Sequence, residues 1–210
     1  EVLIFSAYIV KEKVISLLCR VRHKSATRLM AEFIIYFIEK EESIMKILIT
    51  TDLFRPAING VVTSVLNLER ELEKNGHEVK ILAVSDTCST YQMENVYYIR
   101  SVPAKIYPDV RIPVSRGRAY VQEIIEWNPD VIHSQCEFFS FGFAKRIARK
   151  TGAILLHTYH TLYEQYTEYV PFGKNVSREM LGKWMKMRLS CVDAVIAPTT
   201  YAQRIWIDRE

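Results

Sequence analysis

The sequence predicts an α/β protein: a doubly wound parallel sheet with helices on both faces. Three observations carry that expectation. Short apolar runs alternate with helical stretches from Met45 onward. The first run, Lys46–Thr51, is continuously apolar, as strands buried on both faces are. The stretch after it, Val61–Asn75, places Val61, Val65, Leu68 and Leu72 at spacings of 4, 3 and 4, which is a helix stripe.

The remaining elements follow in order. Gly76 stops the first helix as the residue just past its end. Glu78–Val84 reads as a second strand and Val96–Arg100 as a shorter third. A loop punctuated by Pro103, Pro108 and Pro113 leads to a helix over Ser115–Trp127. Asn128-Pro129 ends it, because the residue before a proline is pushed out of the helical region. Asp130–His133 is a short strand, Phe139–Lys150 a helix closed by Thr151-Gly152, and Ala153–His157 the fifth strand. Ser177–Cys191 is helical and basic, Asp193–Ala197 a strand, and Thr199–Ile207 the start of another helix. The chain contains no internal repeat and no low-complexity tract.

Met45 opens like an ordinary protein start, which divides the chain into an extension, 1–44, and a domain, 45–210. The extension has apolar runs at Val2–Val10 and Leu29–Ile38 around a basic middle, with Lys11, Lys13, Arg20, Arg22, Lys24 and Arg28 against Glu12. It reads either as a pair of amphipathic helices on a membrane surface or as a stretch foreign to the native protein. Both runs fall short of the roughly 20 residues that cross a bilayer. No basic segment precedes the first, so it does not read as a secretory signal.

The composition is that of a soluble globular protein with a core: 210 residues, 49% hydrophobic, 25% charged, net charge +4. So mild a charge gives no reason to expect a nucleic-acid partner, and any attraction to a membrane must come from local patches. The four cysteines, Cys19, Cys88, Cys136 and Cys191, form no CxxC pair and read as isolated thiols of a reducing cytoplasm.

In a doubly wound sheet, ligands bind outside the carboxyl ends of the strands. That rule selects Asp52–Gly60, Ser101–Pro113, His133–Glu137, His157–Tyr163 and Pro198–Thr200. The first of these loops has neither GxGxxG nor a P-loop. Its Asn59-Gly60 either offers bare amides to one phosphate at a helix entrance or is a plain turn. His157 and His160 lie three apart, but no third ligand at zinc spacing accompanies them, so neither metal nor cofactor is expected. His133 and Glu137 either bind a hydroxylated acceptor or satisfy loop amides. From Lys174 to Arg188, basic Lys174, Arg178, Lys183, Lys186 and Arg188 interleave with Met180, Leu181, Trp184, Met185 and Met187. This suits an anionic membrane surface, or else a packed helix with a solvated basic face.

Together these residues resemble the N-terminal domain of the family-4 retaining glycosyltransferases of the GT-B fold, from Met45 to about Ile205. The markers are Met45-Lys-Ile-Leu-Ile with Pro56-x-x-Asn-Gly60-Val, then Asp130-Val-Ile-His133-Ser-Gln-x-Glu137-Phe. Leu156-His-Thr-Tyr-His160-Thr-x-Tyr163-Glu-x-Tyr166 and Val195-Ile-Ala-Pro198-Thr follow in order. The Thr-Tyr-His-Thr-x-Tyr-Glu form is most similar to bacterial diacylglycerol glucosyltransferases.

The resemblance implies a Rossmann-like acceptor-side half facing, across a cleft, a donor-binding domain that lies outside this chain. Asn59 and Gly60 would meet the donor phosphate, and His160 would be catalytic, against the donor sugar. His133, Glu137, Thr161 and Tyr163 would bind the acceptor. Arg178, Lys183, Trp184, Lys186 and Arg188 would face the membrane. The implied reaction is hexose transfer from UDP-glucose, a co-substrate, to a lipid such as diacylglycerol with retention of configuration. It would take place at the cytoplasmic face of the cell membrane, with this half alone inactive. A soluble or cell-wall acceptor, or a non-catalytic half, are the alternatives. Asp52 and Glu137 are the carboxylates at hand for a covalent route.

Overall fold

A computed structural model of the protein describes residues 44–104, 111–160 and 178–197. The 1–43 part of the extension, Thr161, Tyr163, Lys174, the expected helix over Thr199–Ile207 and the side chain of Arg178 lie outside the described residues.

Nine strands and four helices occur among the described residues. They run β1 (Lys46–Thr51), α1 (Gly60–Lys74), β2 (Glu78–Val84), β3 (Tyr91–Met93), β4 (Val96–Ile99), β5 (Ser101–Pro103) and β6 (Arg111–Pro113). Then come α2 (Arg118–Trp127), β7 (Val131–Ser134), α3 (Phe139–Thr151), β8 (Ile154–Thr158), α4 (Arg178–Leu189) and β9 (Ala194–Ile196). The main sheet has the order β3-β4-β2-β1-β7-β8-β9. All its pairings are parallel except β3 on β4, which is the doubly wound sheet expected.

Strand alternation divides the core between the two faces. Leu48, Leu82, Tyr97, Ile99, Ile132 and Leu155 pack with Val121 and Ile124 of α2 and Ala144 and Ile147 of α3. Ile49, Val79, Ile81, Ala83, Val96 and Tyr98 pack with Val62 and Val65 of α1. Met185 and Leu189 bring α4 against Phe141 of α3 and Tyr159. Gly76 and Gly152 close α1 and α3 with φ of +84° and +74°, the conformation that favours glycine at a helix end.

The structure departs from the expected elements in three places. Tyr91–Met93 adds an antiparallel edge strand. The proline-punctuated loop contains a two-stranded ribbon of β5 and β6. Arg111 holds that ribbon, donating to the Ser85 carbonyl at 3.0 Å, the Ser101 hydroxyl at 2.7 Å and the Ser101 carbonyl at 3.2 Å. Helix α2 starts at Arg118 rather than Ser115, because Gly117 is left-handed with φ +52° and interrupts any earlier turn.

Candidate active site at the carboxyl edge of the sheet

Strand β1 pairs with β2 on one side and β7 on the other, so the strand order reverses between β1 and β7. A crevice for ligands opens at such a point. The residues leaving β1, β7 and β8 at that edge form one connected group.

Asp52, one residue past β1, accepts hydrogen bonds from the Ser140 amide at 2.6 Å and the Phe139 amide at 3.2 Å. It thus caps α3 from 88 residues away. Burial nevertheless pushes its pKa up to about 6, opposed by the Ser140 bonds and aided by the charge of Glu137. The N-terminus of α3 is occupied by the protein's own carboxylate and is no anion site.

Helix α1 is different. Asn59 caps it through its side chain, which accepts from the Val62 amide at 2.9 Å. This leaves the Gly60 and Val61 amides without a hydrogen-bond partner among the described residues. A Cβ built at Gly60 meets nothing within 4 Å, and no positive φ demands glycine there. The side chain of Asn59 is therefore a helix cap rather than a phosphate ligand, while Gly60 keeps an open approach to bare amides.

Three histidines gather here, His133 in β7, His157 in β8 and His160 just past β8. The His160 Nε2 lies 2.7 Å from Gln135 Oε1, and the His133 Nε2 lies 2.7 Å from Thr158 Oγ1. Burial, with repulsion from the other histidines, pushes His133 down to about 3. Burial pushes His160 down to about 4, against the opposing pull of Glu137. Both rings are neutral at neutral pH. His157 Nε2 lies 3.4 Å from Glu137 Oε1, and its ring meets Phe141 edge-on. Among the described residues no group of three or more His, Cys, Asp or Glu side chains could hold a metal ion.

Two expected acceptor residues are thereby corrected. His133 and Glu137 are buried, at 9% and 2% exposure, and each has a protein partner, so they build the edge rather than present themselves to a ligand. The two carboxylates considered for a covalent route are both engaged, Asp52 as a cap and Glu137 beside His157.

The basic helix also divides. The Arg188 guanidinium turns inward, donating to the carbonyls of Glu137 and Phe138 and lying over the rings of Phe141 and Trp184. Trp184 in turn stacks on Phe138. Both were expected on a membrane-facing surface; instead they brace the β7–α3 loop. Met180, Lys183 and Met187 are the exposed positions among the described side chains of α4, spaced so as to share one face. Lys186 is partly buried.

Sequence reasoning did not single out Gln135, whose backbone amide donates to the Thr50 carbonyl at 2.8 Å, nor the capping role of Asp52. The signal for Gln135 was its place directly after a strand end at the binding edge.

With this geometry in place, comparison with known proteins settles the class. The chain belongs to glycosyltransferase family 4, whose model matches residues 58–210. Among curated relatives, an alpha-monoglucosyldiacylglycerol synthase of Streptococcus pneumoniae is 34% identical over 166 residues, covering 78% of this chain and 37% of the relative. One of the same name from Acholeplasma laidlawii is 30% identical, covering 74% and 41%. A GDP-mannose-dependent alpha-mannosyltransferase of Mycolicibacterium smegmatis is 24% identical, covering 75% and 43%. The chain spans about two fifths of the length of the curated relatives it matches.

Proposed function

We propose that the protein to which this chain contributes transfers glucose from UDP-glucose to a membrane lipid such as diacylglycerol, with retention, and that this chain is its acceptor-side half. The reading is carried by the open amides at Gly60 in the segment after β1 and the neutral His160 after β8, in a chain most like two glucosyldiacylglycerol synthases among the relatives above. As the donor's diphosphate leaves, negative charge grows on its oxygens. The Gly60 and Val61 amides and the positive end of α1 would stabilise it. A neutral His160 offers a hydrogen bond to the sugar rather than a charge. With Asp52 and Glu137 engaged inside the protein, a route without a covalent carboxylate fits this half best.

Peripheral association with the inner membrane face belongs to the same proposal. No helix among the described residues is long and apolar enough to cross a membrane. The exposed Met180, Lys183 and Met187 of α4 are a suitable contact for an anionic surface. Relatives named as GDP-mannose-dependent mannosyltransferases support a second donor reading.

One experiment separates these. The intact gene product is incubated with vesicles containing diacylglycerol, with and without anionic lipid, and with UDP-glucose or GDP-mannose. Mass spectrometry of the extracted lipid should reveal a monohexosyl product from UDP-glucose, formed faster on anionic vesicles. A product from GDP-mannose alone, or none on lipid, would overturn the proposal.

A further inference from the structure

The geometry points to Gln135 as the positioning residue that fixes the tautomer of His160 and so decides which ring nitrogen meets the ligand. This deepens the glycosyltransfer reading, on which the role of His160 rests.

The backbone at Gln135 is fixed first. Its amide extends the β7–β1 pairing by donating to Thr50, at the point where strand order reverses. Its side chain is 2% exposed, so the amide plane has little room to turn. The amide oxygen stands 2.7 Å from His160 Nε2. With the carboxamide oxygen on this side the amide only accepts, and the ring then carries its proton on Nε2. In a neutral imidazole that leaves Nδ1 bare, as an acceptor. An acceptor at this edge is what a sugar hydroxyl needs as a partner for its proton.

A second observation indicates that the edge expects company. Gln135 Nε2 is a buried donor without a hydrogen-bond partner among the described residues. Buried donors are seldom left so, unless a group absent from the free protein completes them.

The test uses the intact protein labelled with 15N at histidine, as the parent and as Gln135→Glu and Gln135→Leu. The nitrogen shifts of His160 report which atom holds the proton. The parent should show the Nε2-protonated neutral ring. Gln135→Glu keeps an acceptor in place, so it should retain that tautomer while the ring titrates at higher pH. Gln135→Leu should lose the preference, and kcat/KM with UDP-glucose should fall about tenfold, as for one lost hydrogen bond. An unchanged tautomer in Gln135→Leu, or no upward shift in Gln135→Glu, would overturn the role. A parent with the expected tautomer that turns over no UDP-glucose would instead remove the glucosyl-donor reading and leave the positioning role standing.

Discussion

Asp52 holds the first amides of α3, yet burial leaves its pKa near 6 rather than 3.8. The folded state therefore binds a proton more tightly than the unfolded chain, and this group's contribution to stability falls as pH rises from 3.8 to about 6. The accumulated cost above that window is about 3 kcal/mol. His133 and His160 act in the opposite sense. Their folded values, about 3 and about 4, lie below the ordinary 6.5, so acidification below 6.5 draws protons onto the unfolded chain and costs stability. Between pH 4 and 6 two such histidines outweigh one aspartate, and the protein should gain stability with rising pH. Asp52→Asn removes the opposing group. Urea denaturation at a series of pH values should show the variant gaining on the parent by about 2 kcal/mol between pH 3.8 and 6. A constant gap across that range would mean that the carboxylate is not desolvated as described.

At the scale of elements, the β1–α1 unit separates what serves the fold from what is proposed to serve a ligand. Asn59 caps the helix, whereas Gly60 has neither a close neighbour nor a left-handed backbone to explain it. Gly60→Ala should leave the fold intact and raise stability by about 0.5 to 1 kcal/mol, the usual gain of alanine over glycine in a helix. A methyl group over the open amides should at the same time weaken UDP-glucose binding in the intact protein. Thermal unfolding and donor titration check the two halves of this prediction. Lost stability, or unchanged donor affinity, would remove the phosphate role. This unit was legible in the sequence because its signals are local: an apolar strand, a 4-3-4 stripe and Gly76. The β5–β6 ribbon was not, because Arg111 closes it onto the Ser85 carbonyl at the end of another strand, 26 residues back along the chain. Strand β3 has only three residues, too few for alternation to register. The inward turn of Arg188 was hidden for a similar reason. Its partners, the carbonyls of Glu137 and Phe138, lie some 50 residues away and have no side-chain signature.

At the scale of the whole molecule, the strand order places the ends of β1, β7 and β8 side by side and so makes a site from three distant loops. The sequence could name this edge, since the rule for doubly wound sheets needs only the strand ends. It did not say which side chains at that edge turn inward. His133 and Glu137 are consumed by Thr158 and His157, while His160 stands on Gln135. His160 is proposed to meet the reacting sugar. The most direct measurement is the initial rate of glucosyl transfer from UDP-glucose to diacylglycerol by the intact protein and its His160→Ala variant, with thermal unfolding recorded alongside. The account predicts a rate loss of about 100-fold or more, with the unfolding midpoint little changed. A folded variant that transfers glucose at the parent's rate would contradict it.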